Sequence, residues 1–315
     1  MPRSRSTRSA TTLQLPSWIQ QAIDGLASDM LSPPGVPAVD FTQPRGEPAL
    51  APHGSMSWKI FKNPVAMFVG GVAAVILELA QPRVRTGVWE HSTFRTQPLA
   101  RLQRTGLAAM VTVYGASSVA QKMIAGVVQR HGQVHGQTPA GDAYAATDVE
   151  LLSWVQATAG FGFAHAFDAC VRPLSPDEFD RFYFEGAPAA RLYGALQAPT
   201  SRSEMQALFD SMADRLGPSP VIFEFLEILR RTPILPRALR PAQWLLMRAA
   251  VEIVPPPLRE HLGLGRAYGL NGFERRLVRW SGSLADRVML AQSPAVQACR
   301  RLGLPDNYLY RRLNE

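Results

Sequence analysis

The chain has 315 residues, of which 46% are hydrophobic and 18% charged, and its formal net charge is +8. This length accommodates one large domain or two smaller ones, and the composition favours a globular protein with a full core. The positive charge suggests nucleic acid or an anionic membrane as a partner. However, part of it lies near the two termini, and the sequence lacks the basic stripe with interleaved aromatic residues that single-stranded nucleic-acid binders carry. We therefore expect no nucleic-acid partner.

Cysteine usage indicates the compartment. Cys170 and Cys299 are the only cysteines and stand in no ligand spacing, so the sequence predicts neither a disulfide framework nor a zinc knuckle. We expect a reducing, cytoplasmic location. The first fifteen residues lack the apolar run of a secretory signal. Residues 1–55, which include a proline- and glycine-rich stretch at 32–55, are expected to form a flexible tail and linker before a single domain over 56–315.

The predicted elements are helices. Pro16-Ser17 begins an amphipathic one, and Val65–Leu77 is an apolar run of thirteen residues that Glu78 follows at once. Because a membrane-spanning helix needs about twenty residues, we interpret the run as a core helix and expect no transmembrane segment. Peripheral membrane contact is left open. Gly70-Gly71 inside the run requires something to approach the backbone closely, and we favour a neighbouring helix over a flat ligand.

Beyond this run, Pro82 is expected to end or kink the helix, and residues 87–98 to form a turn-rich connection carrying Glu90, His91 and Arg95. Thr96 is the predicted N-cap of the next helix. No sustained alternation of period two and no hairpin signal appears. The predicted fold is therefore all-α. Further helices are expected after a cap at Thr147 or Asp148, after Ser175, and at 201–216, 220–230, 241–253 and 272–300, with proline-rich joints at 232–241 and 254–257.

Residues 98–136 are predicted to form two helices that border a site. Arg101, Arg104 and Thr105 stand at positions i, i+3 and i+4 of the first helix, so they share one face. His131 and His135 are four residues apart and are expected to share a face of the second helix. Long apolar runs separate these polar groups, which is more typical of a site lining than of a solvated surface.

The histidine pair admits several interpretations. A zinc protease needs Glu directly after the first His, where this chain has Gly132. A di-iron carboxylate bundle needs Glu-x-x-His pairs, which are absent here. A single axial histidine on haem iron needs only one imidazole, apolar walls and cations for the propionates. An ordinary hydrogen-bonded histidine stays an alternative, as does a surface position for one of the two arginines.

One long stretch and three shorter ones carry a resemblance to a known family. They read, in chain order, ELAQPRVRTGVWEHSTFRTQPLARLQRTGLAAMVTVYG, RHGQVHG, DAYAATDVELLSWVQAT and VRPLSPDEFDRFY. The RLxRT, HxxVxG and LLxWVxAT elements within them resemble the MpaB-type oxygenase family, which includes the latex-clearing proteins, or rubber oxygenases. The resemblance extends over roughly residues 58–310.

The resemblance implies an all-α fold with a globin-like core around haem b, and cleavage of a carbon–carbon double bond by dioxygen in a small apolar, isoprenoid- or lipid-like substrate. Carried over residue by residue, it makes His131 the iron ligand, with His135 as the alternative. It places Arg101 and Thr105 near the haem as catalytic residues, with Arg104 among the residues that bind the cofactor. Glu90 is a loose counterpart of the acid proposed as base in the rubber enzymes.

This chain also departs from the family pattern. Rubber oxygenases have a lysine, able to coordinate iron, where this chain has Arg104, and a guanidinium stays protonated and cannot ligate a metal. Resting iron is then expected to be five-coordinate or water-bound. Many relatives have histidine where this chain has Gln81 and Gln156. The lysine-to-arginine change favours one alternative, a haem- or lipid-binding protein without turnover. A further alternative is a cofactor-free helical protein in which His131 packs and bonds to a carbonyl.

Overall fold

The computed structural model describes residues 12, 13 and 16–311. Within that part the chain forms fourteen α-helices and one small antiparallel sheet, which confirms the predicted all-α class. The helices are α1 (Ser17–Met30), α2 (Met56–Phe61), α3 (Pro64–Ala80), α4 (Pro82–His91), α5 (Pro98–Tyr114), α6 (Ser117–His131), α7 (Val149–Cys170), α8 (Pro176–Leu192), α9 (Arg202–Met212), α10 (Pro220–Arg231), α11 (Arg240–Ile253), α12 (Pro256–His261), α13 (Gly272–Ala285) and α14 (Pro294–Arg301). The strands are β1 (His135–Gln137) and β2 (Ala143–Ala145).

Helices α3 and α7 form the centre of the protein and contact each other along their lengths. They cross where Gly70 meets Gly162. A Cβ atom on Gly70 would lie 2.8 Å from the carbonyl oxygen of Gly162, so no side chain fits at the crossing. This confirms that a neighbouring helix, rather than a ligand, occupies the space beside Gly70. Gly71 faces a looser environment, because its nearest neighbour would be the Phe163 ring at 4.0 Å.

A sharp bend at Gln81 separates α3 from α4, and the two helices meet at 111°. The Gln81 side chain accepts a hydrogen bond from the backbone N–H of Val84 at 2.9 Å, and Pro82 occupies the first helical position, where its missing N–H is not needed. The predicted turn-rich connection from residue 87 is therefore wrong in part. Glu90 and His91 lie in the last turn of α4, and the loop covers only residues 92–97.

Two predictions around the helix pair are also wrong. Gln97, not Thr96, precedes α5 as its N-cap residue, and the Thr96 hydroxyl instead bonds to the Thr93 carbonyl. Helix α6 ends at His131, and His135 opens strand β1, where it pairs with Ala145. The two histidines therefore do not share a helical face. A glycine follows each of the two histidines in the sequence. At His135 and Gly136 the backbone hydrogen bonds are made by the β1–β2 pairing instead of by a further helical turn.

The C-terminal region contains more helix boundaries than predicted. Residues 272–300 form two helices, α13 and α14, because Ser293 caps a new helix that Pro294 begins. Helix α12 begins within the expected proline-rich joint at 254–257. Asp148 caps α7 as predicted, since its carboxylate accepts bonds from the N–H groups of Glu150 and Leu151.

The proline- and glycine-rich segment at 32–55 has no helix or strand and packs against the helical body. Phe41 and Ala51 are buried in it. The Arg301 guanidinium on α14 donates to the backbone carbonyls of Phe41 and Glu47, each at 2.8 Å. A domain boundary at residue 55 stays a prediction. The expected N-terminal tail lies outside the described residues except for residues 12 and 13.

Across residues 12, 13 and 16–311, no single helix has both the length and the apolar character needed to cross a bilayer. Helices α3 and α4 reach that length and composition only when they are counted together, across the 111° bend between them. Ten of the seventeen residues of α3 are buried, which is typical of a core helix.

Candidate active site

One face of α5 carries the predicted site residues. Arg101, Thr105, Ala108 and Thr112 stand at i, i+4, i+7 and i+11, so they form a single row about 16 Å long. Thr105 is exposed and the other three are partly accessible. The prediction that Arg101 and Thr105 share a face is confirmed: the Arg101 guanidinium donates to the Thr105 hydroxyl, and that hydroxyl donates to the Arg101 carbonyl at 2.9 Å.

Glu78 on α3 faces this row from the centre of the protein. Burial raises the pKa of its carboxyl to about 7, and the Arg101 charge and a hydrogen bond with Thr158 of α7 oppose that rise without cancelling it. Glu78 and Arg101 both lie deep in the molecule and are nevertheless partly accessible. We interpret this combination to mean that the two side chains line a space within the protein.

Arg101 carries a desolvated charge in this space. Burial lowers the pKa of its guanidinium, Glu78 raises it again, and the neighbouring charge of Arg104 lowers it further. Within the part of the chain that the structure describes, Arg104 forms no ion pair. The site therefore holds two cations and one carboxyl whose proton is half dissociated near neutral pH.

His131 ends α6 beside the same group of charges. Burial lowers the pKa of its imidazole, and the positive charges of Arg101 and Arg130 lower it further, so the ring is neutral at pH 7. Its Nδ1 atom is buried and, among the described residues, has no hydrogen-bond partner. A neutral imidazole is the form that binds metals, and an unpaired buried nitrogen is costly unless something else occupies it.

The α5 row and the matching face of α6 meet at their far end. Met123, Val127 and His131 stand at i, i+4 and i+8 of α6, and each is partly buried. The Tyr193 hydroxyl lies 2.9 Å from the Thr112 hydroxyl and 4.0 Å from the Met123 sulfur. The space between the two helices thus has charged groups at one end, a tyrosine at the other, and small or apolar side chains between them.

Two predicted site residues lie away from this group. Glu90 is exposed at the end of α4, where the Tyr144 hydroxyl donates to it at 3.4 Å and also lies 3.1 Å from His91. In the described ranges no hydrogen bond or ion pair joins Glu90 to Arg101. His135 is exposed on β1.

Glu78 and Thr158 are site residues that no motif in the sequence predicts. The available signal was the position of Glu78 as the one charged residue of an otherwise apolar helix. Its partners Arg101 and Thr158 belong to two other helices, so the sequence offers no spacing that relates the three. The three come together only in the folded protein, where α3 packs against α7 and the charge of Arg101 on α5 acts on Glu78.

Two open clefts lie on the surface, with volumes of about 680 and 700 Å³. The first lies beside Phe223, Trp244 and Tyr268, and the second lies beside the start of α5; neither is lined by Glu78, Arg101 or His131. No group of three or more His, Cys, Asp or Glu suited to a metal ion occurs within residues 12, 13 and 16–311. The candidate site thus offers one imidazole rather than a multi-residue metal centre.

The fold and the site together define a class of protein. It is a helical protein in which a buried carboxyl, two arginines and a neutral histidine form a candidate active site that is shielded from water. Residues 58–286 match the family model described as ER-bound oxygenase mpaB/B′/rubber oxygenase, catalytic domain. The chain belongs to this family, and its catalytic domain is an oxygenase domain. No curated protein and no solved structure matches the chain significantly.

Proposed function

We propose that the protein is a haem b-dependent dioxygenase that cleaves a carbon–carbon double bond of an apolar isoprenoid- or lipid-like substrate. Membership of the oxygenase family supports the reaction class. The observation that carries the cofactor assignment is His131, a neutral imidazole with an unpaired buried nitrogen at the end of an apolar helix pair. The helices around it would then form the globin-like core.

The residues present fit a haem. Iron in a porphyrin needs one protein ligand, and a neutral histidine is the commonest. Propionates need cations, and Arg101 and Arg104 lie on one side of α5 within reach of the same space. The porphyrin faces need apolar walls, which Ala108, in the same row of α5 as Arg101, and Val127, in the same row of α6 as His131, would provide.

Bound haem would supply the activation of dioxygen. The chain's own residues supply three other things. His131 would hold the cofactor, while Arg101 orients the Thr105 hydroxyl through their mutual hydrogen bonds. Glu78 can take up or release a proton near pH 7 in a place that is shielded from bulk water. The apolar walls exclude water from the space where substrate would lie.

Glu90 is proposed as a base that lies at a different place from Glu78, at the end of α4. It is exposed and accepts a hydrogen bond from Tyr144, so it would act at the protein surface rather than beside Arg101. Glu78 is the better placed acid for a step beside Arg101, because the charge of Arg101 acts on the Glu78 carboxyl. Activity of Glu78→Gln and Glu90→Gln variants would separate the two roles.

A haem-binding protein without turnover is the second candidate, and Arg104 favours it. A guanidinium can bind a propionate but cannot ligate iron, unlike the lysine of the rubber enzymes. Oxygen consumption with polyisoprene and unsaturated lipids distinguishes the candidates, since a carrier would bind haem and form no product.

The experiment that tests the cofactor is an absorption spectrum of the purified chain after expression with a haem precursor. We expect a Soret band that His131→Ala abolishes. His135→Ala is the matched control, because His135 is exposed on β1, and it should leave the band unchanged. Purified protein without iron or colour would contradict the proposal. Loss of the Soret band in His135→Ala alone would identify His135, rather than His131, as the iron ligand.

A further inference from the structure

Helix α13 carries a stripe of large apolar side chains on its solvent side. Phe273, Leu277, Trp280 and Leu284 stand at i, i+4, i+7 and i+11, and are 74%, 39%, 63% and 36% exposed. This spacing places all four within one narrow face of the helix. Exposed apolar residues scattered singly are ordinary, whereas a continuous row with two aromatic rings indicates an interaction surface.

The stripe is not the core-facing side of α13. That side contains Val278 and Gly282, both buried, and a Cβ on Gly282 would overlap the carbonyl oxygen of Cys170 at the end of α7. The Ser283 hydroxyl donates to the Val171 carbonyl at 2.6 Å. Helix α13 is thus packed on the body by one face and presents a second apolar face away from it, which the described residues leave exposed.

Positive charge without an ion-pair partner among the described residues lies next to the stripe at Arg276 and further round the helix at Arg279. Arg276 and Arg279 are exposed, and neither forms an ion pair within the described residues. The acids nearest in sequence have other partners: Glu274 binds Arg248 at 2.6 Å, and Asp286 binds Lys62 at 2.7 Å. An apolar row of Phe, Trp and Leu with flanking arginines is the composition of a helix that lies in a membrane interface.

A second copy of the chain fits this surface less well. The four side chains expose roughly 400 Å² together, about half of what each partner of a stable dimer buries. A symmetric pairing through α13 would also bring the unpaired Arg276 guanidinium groups of the two copies to the same interface. Anionic lipid headgroups would instead bind those cations while the acyl boundary accepts the rings.

We propose that α13 docks the protein onto an anionic bilayer surface, with Phe273 and Trp280 inserted and Arg276 and Arg279 on the headgroups. This proposal is independent of haem. It assigns the helix to peripheral attachment, in which α13 lies along the membrane plane and the helical body stays on the aqueous side.

The test is flotation of the full chain with vesicles of phosphatidylcholine, with and without phosphatidylglycerol. We expect binding to the anionic vesicles that the double variant Phe273→Ser/Trp280→Ser weakens by roughly tenfold or more. Phe184→Ser/Leu196→Ser is the matched control, because those residues are 69% and 65% exposed elsewhere, and it should bind like the wild type. Arg276→Gln/Arg279→Gln should lose the preference for phosphatidylglycerol.

Circular dichroism of each variant verifies that it is folded, which the exposure of the substituted residues leads us to expect. Absence of vesicle binding by the wild type, or equal binding by the Phe273→Ser/Trp280→Ser variant, would overturn the proposal. A wild-type dimer in sedimentation equilibrium that this variant dissociates would also overturn it, and would assign the stripe to a second copy of the chain.

Discussion

The Arg101 guanidinium of α5 acts electrostatically on the buried Glu78 carboxyl of α3, although the two helices are separate in sequence. The arginine lowers the pKa of Glu78, but burial has the larger effect and leaves it at about 7. An acid in this state holds its proton about half of the time at neutral pH. The pair therefore makes the site sensitive to pH in the range where an enzyme works.

The Glu78 pKa predicts a pH dependence of stability. Below about pH 4.5 both the folded and the unfolded protein hold this proton, and Glu78 has no effect. As pH rises to 7, the unfolded chain loses the proton while the folded protein keeps it, so the free energy of unfolding falls by up to about 3 kcal/mol. Glu78→Gln should abolish that fall, measured by urea denaturation at pH 5 and pH 8. Glu90→Gln, which changes an exposed carboxyl, should behave like the wild type; equal slopes in all three proteins would refute the buried position of Glu78.

The lowered pKa of His131 predicts how haem affinity depends on pH. A protonated imidazole cannot bind iron, so haem affinity should fall as the pH decreases, with a midpoint below 6.5, the ordinary histidine pKa. Titration of apo-protein with haem at a series of pH values measures this. Arg101→Gln removes one of the charges that lower the pKa, so its midpoint should shift upward. A wild-type midpoint above 6.5 would be inconsistent with the surroundings of His131.

The crossing of α3 and α7 predicts a strong steric effect. Gly162→Ala would place a methyl group against the Gly70 carbonyl oxygen, which belongs to the backbone and cannot rotate away. We expect a loss of about 3 kcal/mol in the free energy of unfolding. Gly126→Ala on α6 is the control, because nothing lies within 4 Å of the added carbon. That variant should be more stable by up to about 1 kcal/mol, and a similar loss in both variants would argue against the close crossing.

Asn63 links the start of α3 to α13. Its side-chain oxygen accepts from the N–H groups of Val65 and Ala66, each at 3.0 Å, and its amide donates to the Gly282 carbonyl at 3.0 Å. Asn63→Ala removes the cap and leaves buried groups unpaired, so we expect a loss of about 2–3 kcal/mol. Asn271→Ala, at the exposed cap of α13, should cost only about 1 kcal/mol. Equal losses in the free energy of unfolding, measured by thermal or urea denaturation, would show that burial does not increase the contribution of the Asn63 cap.

Local features of the chain were sufficient for most of the helical fold. The apolar run after Pro64 predicts α3, and Asp148 predicts the start of α7, because hydrophobic periodicity and capping act within a few residues. The motifs around Arg101 and His131 identify the family in the same way. These signals need no knowledge of what lies elsewhere in the molecule.

Long-range packing decided the features of the site and of the surface that local sequence does not predict. The approach of Glu78 to Arg101 and Thr158 joins three helices and sets the pKa of the carboxyl, which depends on how much protein surrounds it. The end of α6 at His131 depends on the pairing of His135 with Ala145, a contact that competes with helix continuation. The tertiary structure likewise determines that Phe273 and Trp280 face solvent, because the spacing of these apolar residues alone is typical of a buried helix face. Periodicity reveals that a face is apolar, but only the arrangement of neighbouring helices determines whether that face is covered.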